Sequence, residues 1–346
     1  MRPNVRHLIT FALLLGGCDA GTTSPVDASS DTPSTADASV QPDALDAEVK
    51  DSAIDVDTSP LKAETKSDLV FRTVGNLSIK GDLYLPDRTT PVALVIMIHG
   101  GGFSDGDKAD KTQTAWTSYL QAQGLAAFAV NYRVYADFVN NEVPFPAAPM
   151  DIKCAISWIR AKASTYRIDG SHIFVLGSSA GGFMSNFLGT TGDEPAFNPT
   201  DCADGVTASN RVQGVVTYFG PSDWNALFND PLRVGTDNGE KRFIGLAQGS
   251  TPCVPNSADA KGICKTASAT NYADAKDPPF FIAHSDDDPV VPVTQGRTMK
   301  AALEAVKVSV TYKEVTGLKH GWHSNFKDPT STGVRDDVLA WLNAHK

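Results

Sequence analysis

The feature that most constrains this chain is the junction Gly177-Ser178-Ser179-Ala180-Gly181, which joins the apolar run Ile173 to Leu176 to a helix-like segment. A strand that bends sharply into a helix with a serine at the bend leaves that side chain exposed above the sheet. The positive end of the helix then lies close to it. Glycines on either side let the backbone take the strained turn and let another molecule approach closely. A second glycine-rich turn, His99-Gly100-Gly101-Gly102-Phe103, follows another apolar run, Ala93 to Ile98. Two such turns, in this order and at strand ends, predict one site built from both.

The rest of the chain alternates strand and helix patterns. Leu69 to Val74 and Leu77 to Leu85 alternate apolar with polar residues and read as paired strands around Gly75-Asn76. Val92 to Ile98, Leu125 to Val130, Ile173 to Leu176, Val212 to Phe219, Pro279 to Ala283 and Val308 to Val315 read as further strands, several apolar enough to be covered on both faces. Trp116 to Gln123, Met150 to Ala163, Ala180 to Leu188 and Gly333 to Ala344 have helical spacing. This order predicts an α/β fold with a mostly parallel sheet between layers of helices. The Gly-, Pro- and Asn-rich interval Pro221 to Lys276 is too long for a connector and reads as an insertion over the site.

The N-terminal region has a different character. Arg2 and Arg6 precede the apolar stretch Leu8 to Leu15, which is too short to span a bilayer and reads as an export signal. The following Gly16-Gly17-Cys18 resembles the lipobox of bacterial lipoproteins. That resemblance implies residues 1–18 as a signal ending at a lipidated Cys18, and a protein held on a membrane of the bacterial cell envelope. An ordinary secretory signal, giving a secreted protein, is the alternative. Residues 19–60 carry nine Asp and one Glu against Lys50 alone, and no aromatic residue. The segment 19–62 is therefore expected to be a disordered tether, with an end-to-end distance of about 35–40 Å.

Residues 63–346 have nearly balanced charge and no basic stripe, which argues against nucleic-acid binding. Their length suits one catalytic domain. Four cysteines remain after Cys18, and an exported chain with an even number invites disulfides. Cys253 and Cys264 close a Gly- and Pro-containing loop and form the first expected pair. Cys154 lies in a predicted helix, so a second bridge to Cys202 and a buried thiol remain equally open. No Cys/His spacing has the form of a zinc site, and neither metal nor cofactor is expected.

Acyl transfer needs a nucleophile, a base, a group that orients the base, and donors for the developing oxyanion. Ser179 holds the central position of Gly-x-Ser-x-Gly, which Ser178 does not. The acid should follow in the chain and the base after it. Asp288 is chosen from Asp286-Asp287-Asp288 because it stands just before Pro289-Val290-Val291-Pro292, with Asp286 in reserve. His320, with Gly321 behind it, is favoured over His323 as base, and His284 is expected to be structural. Backbone N–H groups of Gly101, Gly102 and Ala180 are the expected oxyanion donors. His99 is expected to brace its loop by hydrogen bonding rather than to react.

The segments HGGGFSDGDK, NYRV, FPAAPMDIKCAISWIR, IDGSHIFVLGSSAGG, GPSD, DPPFFIAHSDDDPVVP and GLKHGW occur in this order. They resemble α/β-hydrolase esterases of the hormone-sensitive-lipase-like group, and within it the bifunctional feruloyl and acetyl-xylan esterase type. The resemblance implies the α/β-hydrolase fold, a doubly wound sheet of about eight strands, and Ser179, Asp288 and His320 as triad. It also implies a serine ester hydrolase acting on small-molecule or polysaccharide-linked esters, such as acetyl or feruloyl groups. Amidase or formamidase activity on the same fold, and an inactive surface binding protein, are the alternatives. Two departures stand out: Ser285 replaces a glycine common after the family's histidine, and the cysteine-bearing insertion has no evident counterpart.

Overall fold

In a computed structural model of the chain, the residues described are 62–137, 144–234, 238–245, 253 and 258–346. The expected export signal, Cys18 and nearly all of the acidic segment lie outside them. Eight strands form one sheet in the order β1-β2-β4-β3-β5-β6-β7-β8. They are β1 (Glu64–Val74), β2 (Leu77–Leu85), β3 (Val92–Ile98), β4 (Ala126–Val130), β5 (Ile168–Ser178), β6 (Gly214–Tyr218), β7 (Phe280–Ser285) and β8 (Val310–Val315). The hairpin β1–β2 and the β2–β4 pair are antiparallel, and every other pairing is parallel. This is the mostly parallel sheet that the alternation of elements predicts.

The sheet divides the core into two layers because successive side chains of a strand point to opposite faces. Leu94, Ile96 and Ile98 of β3 join one apolar cluster, whereas Ala93, Val95 and Met97 join the other. The helices are α1 (Lys111–Ala122), α2 (Ala147–Ala161), α3 (Ala180–Thr190), α4 (Trp224–Phe228), α5 (Asn238–Phe243), α6 (Ala258–Ala267), α7 (Thr294–Ala305) and α8 (Pro329–Ala344). Residues from α2, α3 and α7 pack in the first cluster, and residues from α1 and α8 in the second. Helix α1 begins at Lys111 rather than Trp116 because the Asp110 side chain accepts the Gln113 N–H and caps it.

Helix α7 has no counterpart among the sequence expectations. Its buried residues are Gln295, Gly296, Met299 and Leu303, a narrow stripe that carries only two apolar side chains. Gln295 is polar yet fully buried, because its Oε1 accepts the N–H groups of Ser222 (2.9 Å) and Asp223 (3.0 Å). The helix thereby fixes the start of the insertion. A buried ion cluster fixes α2 in the same way: Asp151 meets Arg72 of β1 at 2.7 Å and Arg133 at 2.9 Å. Burial pushes the Asp151 carboxyl above its ordinary value, and the two arginines oppose that push.

Both pairs of cysteines are joined as disulfides. Cys253 pairs with Cys264, as expected, and Cys154 pairs with Cys202, with Cα atoms 5.2 Å apart. The second bridge ties α2 to the loop that makes a single β-bridge between Cys202 and Arg72.

Candidate active site

The chain reverses its direction of travel across the sheet at β3. Strand β4 lies on one side of it and β5 on the other, so the loops leaving β3 and β5 sit side by side at the strands' carboxyl ends. A crevice at such a switch point is where open α/β sheets bind ligands. The loop after β3 carries the glycine turn, and the bend after β5 carries Ser179.

Ser179 caps α3 with φ 55° and ψ −120°, a region that non-glycine residues rarely occupy. Its N–H donates to the Tyr218 carbonyl at the end of β6, 3.0 Å away, which pins the bend. Gly181 is required by close approach: a Cβ there would lie 2.2 Å from the Ile98 carbonyl oxygen. The serine hydroxyl thus stands half-buried at the carboxyl end of β5, inside the sheet, in a fixed orientation.

His320 reaches the bend from the loop after β8. Its Nε2 is 2.9 Å from Ser179 Oγ, and its Nδ1 is 2.7 Å from Asp288 Oδ2. The Asp288 side chain is fully buried, and its Oδ1 accepts the N–H groups of Val290 (2.9 Å) and Val291 (3.0 Å). Phe219 packs its ring against the imidazole at 4.7 Å between centroids. Ser179, His320 and Asp288 therefore converge from β5, β8 and β7.

The neighbouring aspartates are engaged elsewhere. Asp286 Oδ1 accepts the Gly317 N–H at 2.9 Å, and Asp287 pairs with Lys319 at 2.7 Å on the surface. The Ser285 hydroxyl accepts the Leu318 N–H at 3.0 Å, so the residue that departs from the family's glycine helps bind the acid loop to the histidine loop. His284 is buried, its Nε2–H donating to the Val291 carbonyl at 2.8 Å, and burial pushes its imidazole down to about 4. His323 is also buried and is pushed down to about 3.

The glycine turn faces Ser179. Gly101 and Gly102 have φ of 115° and 58°, and a Cβ on Gly100 would lie 3.5 Å from Ser179 Cβ. The N–H groups of Gly101, Gly102 and Ala180 donate to no described residue. His99 stacks on Tyr132 at 4.3 Å, and its Nδ1–H donates to the Gly100 carbonyl at 2.7 Å, bracing the loop from behind.

These groups open into a cleft of about 590 Å³. The insertion forms part of its wall. Glu240 of α5 lines the cleft, Phe243 stacks on Phe103 at 4.2 Å, and the Val234 N–H donates to the Pro289 carbonyl at 2.8 Å. Sequence reasoning did not single out Phe219, Gln113 or Glu240 as wall residues. Their contribution depends on tertiary packing, and no local motif marks them.

Residues 81–303 match the BD-FAE family. The chain is a BD-FAE-family α/β-hydrolase. The matched span includes Ser179 and Asp288, and His320 lies beyond it. Esterase LipC of Mycobacterium tuberculosis is 30% identical to this BD-FAE chain over 254 residues, which cover 73% of it and 58% of LipC. The probable carboxylic ester hydrolase LipM of the same organism is 28% identical over 237 residues, covering 68% and 51%. The chain spans about half the length of the curated relatives it matches. Among solved structures, the bifunctional GH43-CE protein of Bacteroides eggerthii superposes with a TM-score of 0.63 at 27% identity, over 80% of this chain and 35% of that one.

Proposed function

We propose that this protein is a serine carboxylic-ester hydrolase that works through an acyl-enzyme. The observation that carries this reading is the continuous hydrogen-bonded line from Ser179 Oγ through the His320 ring to Asp288, at 2.9 Å and 2.7 Å. In the first step His320 Nε2 takes the hydroxyl proton as Ser179 Oγ attacks the ester carbonyl carbon. The carbonyl π electrons move onto its oxygen, and the N–H groups of Gly101, Gly102 and Ala180 stabilise that oxyanion. His320 then gives its proton to the departing alcohol oxygen as the C–O bond breaks. Water, deprotonated by the same nitrogen, releases the carboxylic acid and restores the hydroxyl. Asp288 holds the Nδ1–H tautomer and stabilises the imidazolium without itself taking the proton.

The substrates proposed are short acyl esters carried on plant polysaccharide, with acetyl or feruloyl groups as acyl parts. The bifunctional GH43-CE protein among the structural neighbours supports that class. Anchoring through a lipidated Cys18 would place the domain outside the cytoplasm, where such esters occur.

Hydrolysis of 4-nitrophenyl acetate by the purified domain tests the reading. Turnover is expected, and Ser179→Ala is expected to reduce it by about a thousandfold or more. Turnover that survives the substitution rejects the serine mechanism. A matched anilide cleaved as fast as the ester would move the reading to an amidase, and failure of an organophosphonate to label Ser179 would move it to a binding protein.

A further inference from the structure

The insertion touches the glycine turn where the turn is under most strain. Phe103, the last residue of the turn, has φ 64°, a left-handed conformation that is costly for a bulky side chain. Contacts outside the turn must hold it there. The Phe103 ring is buried and packs against Phe243 of α5 at 4.2 Å, Trp224 of α4 at 5.5 Å and Phe183 of α3 at 5.6 Å. Phe243 and Trp224 belong to the insertion, and Phe183 lies on the helix that Ser179 caps.

The backbone is gripped as well. Gly239, in the first turn of α5, lies against the Gly102 carbonyl: a Cβ on Gly239 would fall 2.4 Å from that oxygen and 3.5 Å from Ser104 Oγ. Gly239 has no positive φ, so what it supplies is closeness rather than conformational freedom. The Phe103 carbonyl accepts the Tyr135 N–H at 3.0 Å, and the Arg242 guanidinium of α5 stands 5.0 Å from the centre of the Tyr135 ring. Helix α5 is in turn tied to the start of α2, because the Phe243 carbonyl accepts the Phe145 N–H at 3.0 Å. It therefore meets the turn at the Gly102 carbonyl, at the Phe103 ring and, through Tyr135, at the Phe103 carbonyl.

These contacts bear on the chemistry because of what they flank. Oxyanion donors act only when their N–H groups are aimed in advance at the place where charge develops. Gly101 and Gly102 lack side chains, so the turn has little stiffness of its own and takes its shape from its neighbours. A Cβ on Gly239 would force the Gly102 carbonyl, or α5 itself, to retreat by about 1 Å, and a misplacement of that size costs about a hundredfold in rate.

We propose that Gly239 and Phe243 are positioning residues for ester hydrolysis, with α5 of the insertion clamping the Gly102–Phe103 peptide so that the turn presents its N–H groups to the oxyanion. This rests on the ester-hydrolase reading above and gives the insertion a part in stabilising the transition state as well as in walling the cleft. Neither residue touches the reacting atoms. Both act through the turn, Gly239 by letting α5 come close and Phe243 by holding the ring of a strained residue.

The test measures hydrolysis of 4-nitrophenyl acetate by the purified protein, expressed per site labelled by an organophosphonate so that unfolded copies are not counted. Gly239→Ala is expected to lower kcat and kcat/KM together by about tenfold to a hundredfold, with KM within about twofold of the wild type. Phe243→Leu, which removes the stacked ring, is expected to lower both about tenfold and serves where Gly239→Ala does not fold. Gly262→Ala makes the same change in α6, where a Cβ meets nothing within 4 Å, and is expected to leave both unchanged. A role in packing alone would lower the unfolding midpoint and the number of labelled sites, but not the turnover of each labelled site. Turnover per labelled site within about twofold of the wild type in the α5 variants, or an equal fall in Gly262→Ala, overturns the proposal. A wild type that neither hydrolyses the ester nor takes the label overturns the ester-hydrolase reading, and this proposal with it. A wild type that does both leaves the variants to decide on the clamp alone.

Discussion

Asp288 divides its two carboxylate oxygens between His320 and its own loop: Oδ2 lies 2.7 Å from His320 Nδ1, while Oδ1 accepts the N–H groups of Val290 and Val291. An amide at this position would keep the shape but present an N–H where the imidazole needs an acceptor. Asp288→Asn is therefore expected to lower kcat about ten-thousandfold through the wrong tautomer, with the fold retained. Asp286→Asn, tested in parallel, is expected to cost far less, because its carboxylate meets Gly317 rather than the imidazole. Equal losses in the two variants would contradict this division of labour.

The glycine turn gives a second test. A Cβ on Gly101 would fall 1.9 Å from the Asp105 carbonyl oxygen, whereas one on Gly102 meets nothing within 4 Å. Gly101→Ala is expected to displace the turn and reduce kcat about a hundred- to a thousandfold, the effect of losing an oxyanion donor. Gly102→Ala suffers only the strain of its positive φ and is expected to lose less. Steady-state kinetics on one small ester decide the order.

Acid sensitivity follows from the buried histidines. His284 and His323 are pushed down to about 4 and about 3 by burial, while each titrates near pH 6.5 in an unfolded chain. Above about pH 6.5 neither state binds the proton and their contribution is complete. As the pH falls below that, the unfolded chain binds protons the folded one refuses, and stability drops by about 1.4 kcal/mol per pH unit for each histidine. Asp277, pushed up to about 7 by burial, has the opposite sign: its contribution is complete at acid pH and is lost as pH rises to that value. Urea unfolding of wild type and His284→Gln at pH 7 and pH 5 isolates the histidine. The variant is expected to lose about 2 kcal/mol less over that interval, and an identical loss would refute the assignment.

The bridge between Cys154 and Cys202 closes a loop of 48 residues. Replacing both by Ser is expected to lower unfolding free energy by about 2–5 kcal/mol. Denaturant curves on the double variant read this without disturbing the bridge in the insertion.

Anchoring is tested apart from catalysis. Full-length protein is expected in the detergent-extractable membrane fraction of a bacterial host, and Cys18→Ser in the soluble fraction. A wild-type chain recovered wholly as soluble protein would exclude the lipid anchor.

The parts of this molecule legible in the sequence are those imposed by local physics. Val92 to Ile98 and Ala126 to Val130 are apolar throughout because both faces of a central strand are covered. The bends at Gly101 and Ser179 show because close backbone approach admits only small residues. Helix α7 escapes the same reasoning, since half of its buried stripe is Gln295 and Gly296, held by partners in the insertion and by β7. The pairing of Cys154 is equally silent in one dimension, and Gln113 reads as an ordinary polar residue until the cleft wall closes around it.

Ser179 and His320 are separated by 141 residues, and the sheet that brings them together is complete only with its last strand, β8. Under the proposed mechanism the site is therefore complete only with β8 and the loop after it in place. A chain lacking β8 and the loop after it would hold a serine with no base, and its ester turnover is expected to fall steeply. Under the proposed function, full ester turnover would report a sheet closed through its last strand.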